Sequence, residues 1–266
     1  MPLDVKMEPN EGRRVPKEEW DYFKWCGFAN WLVTMTRPDM AGVTNLCGRH
    51  SHNPGVEHVA VQKHALRYLA GTAKEGITYH GRSEVLEKPY DHRNKLITYV
   101  DSMHGVGNDT MCIIVMLNGG AVITKVLKQR VVATSTTHSE MIALAAGAKE
   151  LQWAVDFMAE MGYEQGTVRV LGDNQSANLQ SSGDYKSSKS DHYRRVQFYV
   201  EDNVRQGIIW IDKVRTEDNI ADIGTKQVAP IEQFRRLRDV AHGTTPKIVS
   251  SKLVDDILDG KYDGYK

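Results

Sequence analysis

"ITYVDSMHG", residues 97–105, is the stretch on which the fold turns. β-Branched and aromatic residues lead to an acid, and a Gly follows shortly, so the run reads as a short strand with Asp101 at its C-terminal end. Similar runs come directly after it: "MCIIVMLNG" from 111, "GAVITKVLK" from 120 and "RVVATS" from 130. Asn118-Gly119-Gly120 between the first two is a hairpin signal. The period then changes. Met141, Leu144, Ala148, Leu151, Val155 and Met158 step by 3, 4, 3, 4 and 3, one apolar face of a long helix. Thr137 lies three residues before Glu140, the spacing of a capping box, and Gly162 supplies a stop. Beyond it "GTVRVLGD" is a strand, "NQSANLQSS" a short helix, "GIIWIDKV" a fifth strand, and "TEDNIADIGTK" opens a final helical segment. This order predicts an α/β domain with a mixed five-stranded sheet and flanking helices.

Upstream the character differs. "WDYFKWCGFANWLVTM" carries aromatic and apolar residues at helical spacing, and "NPGVEHVAVQKHALRYLAGT" is a second helical run with its stop at Gly71. The expected organisation is a loose leader over 1–19, a small helical segment over 20–82, and a polar linker over 83–94. The sheet domain follows over 95–240, and then a flexible tail over 241–266. Trp20, Trp25 and Trp31 are expected in the core of the helical segment.

Lys plus Arg equals Asp plus Glu at 34 each in 266 residues, so polyanion binding would need a local patch. Three widely spaced cysteines fit neither a disulfide framework nor a zinc site, and suggest a reducing compartment. No apolar run approaches the roughly 18 residues of a membrane span, and the N-terminal residues carry no signal-peptide pattern. A cytoplasmic or nuclear protein without a membrane partner is expected. There is no Gly-rich phosphate loop, no Gly-x-Ser-x-Gly and no His-Glu-x-x-His.

Four acids fall at the ends of elements, where an α/β sheet presents groups to a ligand. Asp101 ends the first strand, Glu140 opens the long helix, Asp173 ends the fourth strand, and Asp222 lies early in the last helical segment. Each alone has an ordinary reading as a turn former, a capping partner, an N-cap or a solvated charge. Two carboxylates at ~4 Å repel by roughly 4 kcal/mol at an effective dielectric near 20, so a converged cluster calls for cations. Hard oxygen ligands select Mg²⁺ or Mn²⁺, and two such ions are the apparatus of phosphodiester hydrolysis.

Acids in the order Asp, Glu, Asp, Asp across strand, helix, strand and helix resemble a ribonuclease H. The words around them resemble the C-terminal part of copia-type retrotransposon polyproteins: "YVDS", "ATSTTHSEMIAL", "GDNQSAN" and "EDNIADIGTK". Upstream, "TRPD", "NP" and "LRYLAGT" are similar to the segment joining the reverse transcriptase to the ribonuclease H in those polyproteins. The similarity covers roughly residues 20–235. In the polymerase motif the Asp is doubled, whereas residue 102 is Ser, so Asp101 reads as a ribonuclease H acid and no polymerase activity is expected of this chain alone. Retroviral-type integrases place a glutamate last, and proofreading exonucleases have Asp-x-Glu on the first strand, where residue 103 is Met.

The resemblance implies a ribonuclease H-like fold preceded by a helical remnant of the reverse transcriptase end. It also implies endonucleolytic hydrolysis of the RNA strand of RNA–DNA hybrids, leaving 3′-hydroxyl and 5′-phosphate ends. Two Mg²⁺ ions, with Mn²⁺ as substitute, would be held by Asp101 bridging both, Glu140 and Asp173 on one, and Asp222 on the other. The hybrid is the expected partner, together with a reverse transcriptase polypeptide. Asn174, Gln175, Lys186, Lys189, Arg194 and Arg195 are candidate substrate contacts, and Lys125, Lys128 and Arg130 form a second basic cluster. His104, His138 and His192 are candidate proton shuttles. Departures from the family words are His138 in place of an acid, "SMHGVG" after the first Asp, "KSDHYRR" without its His-Ile-Asp core, and Gly224 where an aliphatic residue is usual, a weak helix former. The rival expectation is a catalytically inactive truncated relic that only binds nucleic acid, its initial Met lying near the former polymerase–nuclease junction.

Overall fold

The computed structural model describes residues 7–80, 94–105, 109–129, 133–173, 191–226, 228 and 230–244. Five strands form one mixed sheet: β1 (Leu96–Met103), β2 (Thr110–Leu117), β3 (Gly120–Lys128), β4 (Val168–Gly172) and β5 (Ile209–Lys213). Their spatial order is β3-β2-β1-β4-β5, with β1, β2 and β3 antiparallel and β4 and β5 parallel to β1. The β2–β3 connection is the tight turn read from Asn118-Gly119, both with positive φ (51° and 87°). The expected mixed five-stranded sheet with flanking helices is what the chain forms.

Seven α-helices are described: α1 (Tyr22–Met35), α2 (Ala41–Gly48), α3 (Val56–Gly71), α4 (Thr136–Glu160), α5 (Asp191–Arg205), α6 (Asp222–Thr225) and α7 (Ile231–Ala241). None is long and apolar enough to cross a membrane. Helix α4 lays its apolar stripe on one face of the sheet, where Met141, Leu144, Leu151 and Met158 bury against Val100, Ile113 and Val170. A Cβ on Gly147 would meet Val100 Cγ1 at 2.5 Å, so this glycine allows the helix to lie close on β1. The other face, through Tyr99, Cys112 and Ile114, is covered by Ile220, Ile223, Phe234 and Leu237 from the C-terminal segment.

Several local expectations change. Ser135, not Thr137, caps α4: its side chain accepts from His138 N–H. Glu140 is therefore outside any capping box and free to serve elsewhere. The run at 130–135 forms no strand over its described residues 133–135. Between β4 and β5 the described helix is α5, while the residues expected as a short helix, 174–182, lie outside the described set. Charged residues hid α5 from apolar periodicity, although Val196, Val200 and Val204 recur every four residues on its inner side. The last helical segment is broken into a 3₁₀ turn (Thr216–Asp218), α6 and α7. Trp25 is buried, but Trp31 is exposed.

The helical segment is packed on the sheet. Its core of Trp25, Ala29, Met40 and Val43 includes Val126 of β3 at its border. A Cβ on Gly42 would lie 2.6 Å from the Ile223 carbonyl oxygen, so α2 meets the α6 turn backbone to backbone. The leader, too, is anchored over part of its length: Val15 is buried, and its N–H donates to Pro54 C=O at 2.8 Å. At the other end, α7 is followed by buried His242, whose ring nitrogen lies 3.1 Å from Asp39, inside the stretch expected as a tail. Asp39 also receives both arms of Arg37 (2.9 and 2.8 Å) and the Tyr68 hydroxyl (2.6 Å). Burial opposes the Asp39 charge, but Arg37 and His242 prevail and hold its carboxyl far below the usual range.

Candidate active site

Strand alternation puts Asp101 on the same face as Tyr99, toward the C-terminal segment. Tyr99 pairs with Leu171 in the parallel β1–β4 ladder, so two residues further on Asp173 emerges beside Asp101. The third carboxylate arrives on α6. Asn219 fixes that segment by donating its side-chain amide to the Val100 C=O at 3.0 Å. Asp218, fully buried, is clasped by Arg215 and by Arg236, the latter at 2.6 Å. The word "EDNIAD" is thus mostly scaffold, with Asp222 as its product. One carboxylate oxygen from each of Asp101, Asp173 and Asp222 lies within 4.8 Å of the others, a spacing at which one cation can be shared.

Glu140 comes from the opposite face on α4 and lies outside that 4.8 Å group. It is nonetheless part of the same electrostatic unit. Burial, then the charges of Asp101 and Asp173, push its carboxyl up to about 8, with the neighbouring Ser102 hydroxyl drawing it back. Burial and Asp101 likewise raise Asp222 to about 7, against the pull of Lys226. Asp101, with a fully buried side chain, is raised by burial, while Lys226 and a hydrogen bond from Thr225 lower it.

Lys226 was not among the expected site residues. Its ammonium lies 2.9 Å from Asp222, 3.1 Å from Asp101 and 3.7 Å from Asp173. Burial alone would lower its pKa, but Asp101 and Asp222 raise it above the ordinary lysine value. The three aspartates therefore surround a position that takes positive charge. Its signal was present in sequence: it is four residues after Asp222, the i,i+4 spacing that pairs charges on one helical face. Thr225 and Asn219 were missed in the same word. Gly224 reads differently in the fold, because a Cβ there would overlap Cys112 Sγ and lie 2.7 Å from Val126 Cγ2. The α6 turn can sit on the sheet next to Asp101 only with a glycine at this position.

The remaining candidates are not gathered here. Asn174, Gln175, Lys186, Lys189 and Arg130 lie outside the described residues. Arg194 and Arg195 are exposed on α5, where Arg194 covers the Phe198 ring at 5.9 Å. Lys125 is bound to Glu150 at 2.7 Å, and Lys128 is exposed. His104 pairs with Asp109 at 3.1 Å, and Asp109 also accepts from Gly105 and Ala133 N–H. His138 Nδ1 accepts from Thr134 N–H at the start of α4, a local structural role. The side chain of His192 lies outside the described set.

No family model matches the chain. It is 28% identical over 221 residues to the retrovirus-related Pol polyprotein from transposon TNT 1-94 of Nicotiana tabacum, covering 82% of this chain and 16% of the polyprotein. It is 27% identical over 236 residues to that from transposon RE2 of Arabidopsis thaliana, covering 87% of this chain and 16% of that one. Among solved structures it is similar to the RNase H1 of the halophilic archaeon Halobacterium salinarum, at 18% identity and a TM-score of 0.37, over 48% of this chain and 90% of that enzyme. Over most of its length, the chain is a homologue of retrovirus-related Pol polyproteins from copia-type transposons, and it spans about a sixth of their length.

Proposed function

We propose that this chain is a metal-dependent ribonuclease H that hydrolyses the RNA strand of an RNA–DNA hybrid. In this reading it acts as one part of a reverse transcriptase polyprotein. The observation that carries the reading is the convergence of Asp101, Asp173 and Asp222 from three separate elements around a position already taken by an ammonium group. An all-oxygen set of this spacing suits Mg²⁺, or Mn²⁺ in its place. Two such ions, when bound, supply an activated water and charge stabilisation for the leaving oxygen.

The protein's own groups divide the remaining work. Asp101, the most buried of the four and central among them, is the residue suited to bridge two cations. Asp173 and Asp222 flank it, and Glu140 approaches over the strand end from the other face. The raised Glu140 carboxyl carries a proton at neutral pH in the metal-free protein and releases it when the cluster gains positive charge. Lys226 neutralises part of the cluster, and its ammonium would have to move aside for the aspartates to hold a cation. Water would attack phosphorus and the 3′-oxygen would leave, so products with 3′-hydroxyl and 5′-phosphate ends are expected.

The test is cleavage of a labelled RNA–DNA hybrid in Mg²⁺ or Mn²⁺, beside Asp101→Asn and Asp173→Asn. Metal-dependent cutting of the RNA strand that disappears in both variants is the expected result. One observation favours a second reading: Lys226 pairs with all three aspartates at once and could act as a permanent counter-ion in a relic that binds but does not cut. Hybrid binding by a folded protein with no cleavage in either metal would establish that reading instead.

A further inference from the structure

A cleft of about 690 Å³ opens where α1 and α2 meet the free edge of β3. Its polar lining includes Thr44, Asn45, Arg49, Ser51 and Lys125, and no Asp or Glu is among its described lining residues. Arg49, at the end of α2, is half-buried and forms no ion pair among the described residues. Its Nε donates to Asn45 Oδ1 at 3.2 Å, and its Nη2 to the Thr110 hydroxyl. Burial pushes its pKa below the ordinary arginine value, the mark of a guanidinium desolvated without a counter-anion. Thr44 is also buried against the cleft, and its hydroxyl has no hydrogen-bond partner. A desolvated cation and an unsatisfied hydroxyl both cost free energy that a bound anion returns.

The location gives the anion its chemistry. Thr110 is two residues along β2 from Cys112, the register partner of Asp101, so it lies ~7 Å further along the strand. Successive phosphates of one nucleic-acid strand advance roughly 3.4 Å along the helix axis. Arg49, through its hydrogen bond to Thr110, is therefore anchored within a few phosphate spacings of the strand position of Asp101. We propose that this cleft is a phosphate subsite, in which Arg49, Asn45 and Thr44 grip a backbone phosphate of the nucleic acid bound at the aspartates. The helical segment then supplies part of the substrate site. This inference rests on the nucleic-acid reading of the aspartate cluster, and the experiment separates the two.

The assay is fluorescence anisotropy of a labelled RNA–DNA hybrid with the full chain carrying Asp101→Asn, in Ca²⁺ over a range of salt. Adding Arg49→Met is expected to weaken binding roughly tenfold or more, as for loss of a charge-assisted phosphate contact. The slope of log affinity against log salt should fall in magnitude by about 0.7–0.9. Arg49→Lys should recover part of both, and Thr44→Val should cost a smaller factor. Arg235→Ala, an exposed cation on α7, should change neither. A purely structural Arg49, capping α2, would lower the melting temperature and leave the salt slope of the folded protein unchanged. Unchanged affinity and slope in a folded Arg49→Met variant would overturn the subsite; if that variant does not fold, unchanged binding by Thr44→Val overturns it. Cleavage by the wild type with no Arg49 dependence sinks the subsite alone, whereas Arg49-dependent binding without cleavage sinks the nuclease reading alone. Absence of hybrid binding by the wild type overturns both.

Discussion

Replacing Glu140 by Gln should stabilise the metal-free protein, by an amount set by pH. The Glu140 carboxyl moves from 4.5 in the unfolded chain to about 8 in the fold, so the folded state binds more protons between those limits. Stability is then greatest below the unfolded value and declines as pH rises through the window. The full shift corresponds to ~5 kcal/mol at ~1.4 kcal/mol per pH unit. Roughly 3–4 kcal/mol of it develops between pH 5 and pH 8. Glutamine keeps the size and hydrogen-bonding capacity of the protonated acid and cannot ionise. At ~2–4 °C per kcal/mol for a chain of this size, Glu140→Gln should melt roughly 8–12 °C above wild type at pH 8 in EDTA. At pH 5 the two should converge to within a few degrees. Mn²⁺ should narrow the gap at pH 8 by stabilising the ionised wild type more than the variant. A thermal-melt series from pH 5 to 8, with and without Mn²⁺, reads all of this. An equal difference at both pH values, or a less stable variant at pH 8, would refute the claim that burial and neighbouring aspartates hold this proton.

Lys226→Met removes the ammonium shared by three aspartates and should destabilise the metal-free protein at pH 8; the thermal shift on adding Mn²⁺ should then exceed that of wild type. Calorimetry of both proteins with Mn²⁺ would check it. Asp222, held near 7 by burial and Asp101, should make metal binding strengthen between pH 6 and 8, and Asp222→Asn should flatten that dependence in the same titration. Asp39→Asn breaks a buried unit with Arg37, His242 and Tyr68 and should cost on the order of 3–5 kcal/mol, read by urea unfolding. Gly42→Ala forces α2 away from the Ile223 carbonyl and should impair Mn²⁺ binding out of proportion to its effect on melting.

What the sequence made legible is what periodicity and turn chemistry carry. The Asn118-Gly119 turn fixed a hairpin, and the 3–4 stripe from Met141 to Met158 fixed the long helix and its buried face. The three aspartates were readable because strand ends and helix starts are recognisable places. Lys226 was not, because its role depends on a tertiary convergence that no single element contains. Helix α5 escaped because charged residues outnumber the valines that bury it. Gly224 reads as a helix-weakening fault from propensity alone, yet its neighbours Cys112 and Val126 lie more than ninety residues away in sequence and leave no room for a side chain. For Glu140 the sequence offers two readings, a site acid and the partner of a Thr137 capping box; the cap falls to Ser135, which leaves the acid without that local role.

The same reasoning changes the standing of the helical segment. Read along the chain, residues 20–82 are a remnant joined to the sheet domain by a linker. In the fold, the Thr36-Arg37-Pro38-Asp39 word is the middle of a buried charge cluster whose last member is His242, 203 residues on. A charge pair fully removed from water is strongly destabilised when either partner is lost. Separation of the two parts would strand Asp39 with His242 absent, and would uncover the α6 turn that carries Asp222. Helix α2 supports that turn through Gly42 and lends Arg49 to the cleft at the edge of β3. The helical segment therefore backs the turn that carries Asp222, and its loss would cost the acid site that support as well as the buried charge cluster.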